Sequence, residues 1–139
     1  MQSPSFSCTI PADIREIPAL SDRLESAMKN GGFSDNDILD TQLAVEETVT
    51  NIIVHGYGDA VGEITIACRV GPDEIAIQLE DHAVPFDPLS LPEPDLHADI
   101  DDRQIGGLGI FLTRKIMQEI RYRFEDGKNI LTLVKKKSG

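Results

Sequence analysis

Leu43-Ala44-Val45-Glu46-Glu47-Thr48-Val49-Thr50-Asn51-Ile52-Ile53-Val54-His55 combines a helical apolar period with polar residues one turn apart. At about 100° per residue, Asp40, Ala44, Glu47, Asn51 and His55 fall on one narrow helical stripe, while Val45, Val49 and Ile52 occupy a different face. Ser34 is a good N-cap, and Asp35 and Asp37 in the first turn suit the positive end of the helix dipole. The helix is therefore expected to run from there to about His55, stopped by Gly56. A carboxylate and a carboxamide one turn apart, in an otherwise apolar segment, offer oxygen ligands and a proton acceptor to a hydrated Mg²⁺. The same spacing suits a plain solvated helix face, so the decision passes to the motifs around it.

Outward from that helix, Ser5 to Ile10 alternates like a strand, and Ile17 to Asn30 sets Leu20, Leu24, Ala27 and Met28 on one helical face before Gly31-Gly32 ends it. In the other direction, Glu63 to Val70 alternates with Ile64, Ile66, Cys68 and Val70 on one side. Gly71-Pro72-Asp73 then turns into Glu74 to Glu80, which carries Ile75, Ile77 and Leu79, and the two runs predict a β-hairpin. Pro85, Pro88, Pro92 and Pro94, with acidic residues through Asp102, form about twenty residues that hold neither helix nor central strand. A helix from Ile110 to Gln118 follows, then strands at Arg121 to Glu125 and Asn129 to Val134 joined through Asp126-Gly127. Helices and antiparallel hairpins alternate without the even spacing of βαβ units. That predicts an α+β two-layer sandwich, helices on one face of the sheet, in a single domain over residues 1–139.

Two further motifs carry chemistry. Leu79-Glu80-Asp81-His82-Ala83-Val84-Pro85-Phe86-Asp87 leaves a strand and enters the Pro-rich loop, so Asp81 stands where a strand end meets a cleft. A carboxylate there can accept the exocyclic amine of adenine; it can equally be a strand-ending Asp that begins an Asx-turn. Gly106-Gly107-Leu108-Gly109 opens a helix directly, turning backbone N–H groups and the positive end of the dipole toward the loop, which stabilises phosphate. It is no Walker A loop, since no Lys-Ser or Lys-Thr follows, and no dinucleotide fingerprint, since Leu112 stands at the third Gly.

In this order and spacing, Glu47-x-x-x-Asn51, then Asp81 with Pro85-Phe86-Asp87-Pro88, then Gly107-x-Gly109 resemble the N, G1 and G2 boxes of the GHKL (Bergerat-fold) ATPase and kinase superfamily. Val45 to Tyr57 and Pro85 to Pro88 look in particular like the anti-sigma factor serine/threonine kinases, and the likeness extends from Leu20 to Val134. The resemblance implies a mixed, mostly antiparallel five-stranded sheet with helices on one face, ATP between the helix of Glu47 and the loop, and Mg²⁺ bound through Asn51. It implies Glu47 as general base, Asp81 as adenine reader, Gly107 and Gly109 with Leu108 between them as phosphate cradle, and Thr132 as the adenine-side Thr. Arg103, just before the glycines, would reach a γ-phosphate or remain a solvated lid residue. Ala83 lies beside the base, and here the chain departs from the family: the G1 box has Gly two residues after its Asp, and a Cβ would crowd adenine or forbid a positive φ.

The bulk composition is that of a soluble globular protein: 139 residues, 40% hydrophobic and 27% charged. A formal charge of −11 repels a phosphate backbone, which disfavours direct nucleic-acid binding, and Lys135-Lys136-Lys137 is expected to be a solvated tail. No apolar run approaches the ~20 residues of a membrane span, and residues 1–10 lack the charge-then-apolar order of a leader, so a cytoplasmic protein is expected. Cys8 and Cys68 are expected as reduced, packed thiols, and His55, His82 and His97 share no ligand spacing. The partners that the resemblance implies are a STAS-domain anti-sigma antagonist, a sigma factor and a second copy in a homodimer. The competing readings are a non-catalytic binding module of the same fold and a histidine-kinase catalytic domain. The latter needs a preceding helical hairpin, and only 33 residues precede Ser34.

Overall fold

The computed structural model describes residues 5–85, 87 and 113–138. Strand β1 (Phe6–Pro11) leads through a 3₁₀ turn into helix α1 (Ile17–Asn30), which matches the predicted span and carries Pro18 in its first turn, where a missing N–H costs no hydrogen bond. Helix α2 (Asp35–Asn51) starts as expected, the Ser34 hydroxyl accepting the Asp37 N–H at 3.2 Å. Its end differs from expectation. Beyond Asn51 the chain widens into a π-type turn, Ile52–Tyr57, closed by the Gly58 N–H on the Ile53 carbonyl at 2.9 Å. Gly58, at φ 60° and ψ −119°, ends the helix instead of Gly56, because that backbone conformation needs a residue without Cβ.

Strands β2 (Glu63–Val70), β3 (Glu74–Asp81), β4 (Glu119–Glu125) and β5 (Lys128–Lys136) complete a five-stranded sheet in the order β1-β2-β3-β5-β4. Every neighbouring pair is antiparallel, which corrects the mixed sheet of the sequence reading; the hairpins β2-β3 and β4-β5 supply two of the four pairings directly. The inner face carries Ile64, Ile66, Cys68, Ile75, Ile77, Leu79, Leu131 and Leu133 against Leu20, Leu24 and Met28 of α1 and Ile38, Ala44, Val45 and Val49 of α2. Fully burying one such large side chain contributes about 1.5–3 kcal/mol, so this two-layer contact outweighs any single cap or turn. Cys68 is sealed in it, and burial pushes its thiol up to about 12; Cys8 is half-buried, and both are free.

The Lys-rich end is not the expected solvated tail. Lys135 lies in β5 on the inward register, opposite Ile75, and its Nζ stands 3.6 Å from the buried carboxylate of Asp37. Ser138 donates to the same carboxylate from its backbone N–H (2.9 Å) and its hydroxyl (2.6 Å), tying the end of β5 to the start of α2. The sheet pairing turns Lys135 inward, and Asp37 makes that tolerable. No helix among the described residues is long and apolar enough to cross a membrane.

Candidate functional site

Where α2 passes into the π-type turn, it diverges from the ends of β3 and β5 and leaves a cleft of about 640 Å³, counting the open space at its mouth. Its described walls are Thr48, Asn51, Ile52 and Gly56 from the helix side and Asp81, Ala83, Asn129, Leu131 and Leu133 from the sheet, closed at one side by Thr113, Ile120 and Tyr122. Apolar walls with a few convergent polar groups are the usual composition of a small-molecule site.

Asp81 is the polar focus. It is the last residue of β3, 4% exposed, and its inward register opposite Asn129 turns the carboxylate toward the helices. Oδ1 accepts two hydrogen bonds, from the Ala83 N–H and from Asn129 Nδ2, each at 2.9 Å. The first is the Asx-turn that the sequence allowed; the second had no sequence signal of its own, because it depends on the β3-β5 register. Oδ2 has no donor among the described residues and belongs to a residue lining the cleft. A carboxylate oxygen turned into a mostly apolar cleft is able to accept an N–H from a ligand.

Ala83 neither crowds a strained backbone nor needs one. Among the described residues the only non-glycine with a positive φ is Asp126, so the position where the family has Gly is an ordinary conformation here. The Ala83 methyl sits against Gly56: a Cβ placed on Gly56 would stand 3.0 Å from it. Gly56, which the sequence reading took as the helix stop, instead leaves room for Ala83. The loop that carries both Asp81 and Ala83 is held from below by Tyr57, whose hydroxyl donates to the Glu63 carbonyl at 2.7 Å and accepts the His82 N–H at 2.8 Å.

Asn51, the last residue of α2, lines the cleft, and its carboxamide has no hydrogen-bond partner among the described residues. It fits the hydrated-cation ligand expected of it, since Mg²⁺ is held by few protein oxygens plus phosphates and water. Among the described residues no group of three or more His, Cys, Asp or Glu gathers as a metal site. Glu47 lies one turn earlier on the same side of α2, half-buried, outside the described lining of the cleft. Thr132 does not join the site. It pairs with Gln78 and Arg121, three residues along β5 from Asn129, and so projects from the opposite face of the sheet. The β5 residue that lines the cleft beside Asp81 is Asn129, for which the sequence carried no signal. Arg103, Gly106, Gly107, Leu108 and Gly109 lie outside the described residues, as does His97; of the helix expected over Ile110 to Gln118, residues 113–116 are helical and it ends there, short of Gln118, with Thr113 lining the cleft.

The histidine kinase-like ATPase domain family matches residues 10–135. The serine-protein kinase RsbW of Bacillus cereus (strain G9842) is 30% identical over 126 residues, covering 88% of this chain and 79% of the relative. The serine-protein kinase RsbW of Bacillus mycoides (strain KBAB4) is 28% identical over the same length. Among solved structures, that of the RsbU and RsbW domains of Rv1364c from Mycobacterium tuberculosis superposes with a TM-score of 0.61 at 19% identity. It covers 96% of this chain, which spans about a third (32%) of that longer one, and at this identity the likeness concerns the fold alone.

Proposed function

Since the chain belongs to the histidine kinase-like ATPase domain family, alongside the serine-protein kinases RsbW, we propose that it binds ATP in the cleft between α2 and the ends of β3 and β5 and transfers the γ-phosphoryl to a Ser or Thr hydroxyl. The acceptor is a STAS-domain anti-sigma antagonist, and the same protein holds a sigma factor in the alternative complex, as a cytoplasmic regulator and as a homodimer. The observation that carries this reading is Asp81, a buried carboxylate at the cleft with one oxygen saturated by Asn129 and Ala83 and the other open to a ligand donor. An adenine amine is such a donor.

In this reading Asp81 fixes the base, and the apolar walls Ile52, Leu131 and Leu133 exclude water from it. Asn51 offers its carboxamide oxygen where the triphosphate leaves the cleft. Asn51 would hold a Mg²⁺ ion, which would supply charge neutralisation for the phosphates. Glu47, one turn before Asn51, accepts or orients the proton of the attacking hydroxyl; the family resemblance assigns the phosphates to the amides of Gly107, Leu108 and Gly109, and offers Arg103 either to the γ-phosphate or to a solvated lid. Placement and electrostatics carry most of such a transfer, because the phosphoryl transition state asks little covalent chemistry of the protein.

The test is label transfer from γ-labelled ATP to STAS-domain proteins of the same cell, beside the Glu47→Gln variant. Gln keeps shape and hydrogen bonding but removes the base, so ATP affinity should stay near wild type while transfer drops by roughly 10²–10⁴-fold. A bound STAS-domain partner that never takes up label would replace the kinase by the binding module.

A further inference from the structure

Asp81 needs only one free oxygen to meet a base, yet its Oδ1 is held by two donors. Asn129, 6% exposed, places Nδ2 at 2.9 Å from Asp81 Oδ1, 3.1 Å from the Ala83 carbonyl and 3.5 Å from the Val84 carbonyl. Three oxygens around one end of the amide fix its orientation, because the reverse placement would set oxygen against oxygen three times. The amide oxygen at the other end accepts from the Tyr122 hydroxyl, which reaches in from β4. Tyr122, Asn129 and Asp81 therefore form one directed chain of donors, running from the sheet edge to the cleft.

Resting on the ATP reading above, we infer that Tyr122 and Asn129 set which base the cleft takes, by pinning Asp81 as an acceptor at the position of a 6-amino group. With Oδ1 filled by two N–H donors, the carboxylate cannot turn about its Cβ–Cγ bond without losing both, so Oδ2 alone meets the ligand. A 6-amino purine presents a donor to it. A 6-oxo purine, hypoxanthine or guanine, presents an oxygen at the same place, leaving two acceptors face to face in a desolvated site. The 6-oxo purines do carry a donor at N1, one ring position away, which a carboxylate free to swing would reach. Pinning removes that option. Tyr122 and Asn129 are positioning residues in this account, acting through Asp81.

The experiment is calorimetry of the full chain with Mg-ATP and Mg-ITP, nucleotides whose bases differ at position 6 and N1, for the wild type, Asn129→Leu and Tyr122→Phe. The wild type should prefer ATP by about 100-fold or more, the usual penalty for leaving a buried polar group wrongly paired. Asn129→Leu keeps the branched outline but removes one of the two donors that hold Asp81, and should narrow the ATP/ITP ratio about ten-fold or more. Tyr122→Phe removes only the hydroxyl that anchors the Asn129 amide, and should narrow the ratio by a smaller factor, about 2–5-fold, in a chain that folds even where Asn129→Leu does not. A purely structural role weakens both nucleotides alike: an unchanged ratio in the variants, or a wild type indifferent to the base, overturns the inference. A wild type that binds neither nucleotide sinks the ATP reading itself, and the base-selection argument with it.

Discussion

Asn51 and the Gly56–Ala83 contact are the residues at which the site is most directly open to trial. Asn51 ends α2 with an unbonded carboxamide in the cleft wall, so Asn51→Ala deletes a ligand without deleting an internal hydrogen bond. Its thermal midpoint should stay close to wild type while Mg-ATP affinity falls about ten-fold or more, a loss of ~1.4 kcal/mol; an unchanged affinity removes Asn51 from the site. The Gly56–Ala83 contact makes a paired prediction. Adding a methyl at Gly56 sets two Cβ atoms 3.0 Å apart, tighter than relaxed packing allows. Gly56→Ala should therefore be better tolerated in an Ala83→Gly background, with a coupling of about 1 kcal/mol by urea denaturation. Additive effects would mean that the two loops move apart freely. Ala83 alone looked, from the sequence, like a defect in the nucleotide box; its partner Gly56 lies 27 positions upstream, and no local pattern joins them.

At the scale of elements, α1 and β2 were legible to the residue because their signal is a local period, apolar side chains every third or fourth residue or every second. The π-type turn after α2 was not, since one extra residue per turn hardly disturbs the apolar pattern across Ile52 and Ile53. That turn delivers Tyr57 onto Gly62, where a Cβ would fall 2.2 Å from the Tyr57 ring. Gly62→Ala should push the ring away, break its hydrogen bonds to Glu63 and His82, and cost about 2–3 kcal/mol in chemical denaturation. Tyr57→Phe, which loses only the hydroxyl, should cost about 1 kcal/mol. Equal stability of the Gly62→Ala protein and the wild type would show that the π-type turn does not hold the Asp81 loop.

Across the whole molecule, the closure between the two ends of the fold is the Asp37–Lys135–Ser138 group. Burial by itself pushes the Asp37 carboxyl up, but the Ser138 N–H and hydroxyl and the Lys135 ammonium hold it below the usual carboxylate range. A carboxyl depressed in the folded state contributes stability above its unfolded value, about pH 4, and loses it as the pH falls through the folded value. The wild type should therefore lose stability below about pH 4 more steeply than Asp37→Asn. Near pH 7 the variant should be less stable by about 3 kcal/mol, because Lys135 is left buried without its counter-charge. Parallel pH profiles would take Asp37 out of the account.

The order of helices and strands, the two-layer class and the stripe that sets Asn51 one turn beyond Glu47 were legible in the chain, because they follow from periods that span only a few residues. So was Asp81, at the point where an alternating run meets a proline-rich loop. Which β5 residue faces Asp81 depended on long-range packing. A two-residue period sends Asn129 to the cleft and Thr132 to the far side once the β3-β5 register is set, and that register is fixed by the packing of the whole inner face rather than by either strand alone. The same holds for Lys135, which a string of three lysines marks as solvent-facing and which the sheet turns inward, to a carboxylate 98 positions earlier in the chain.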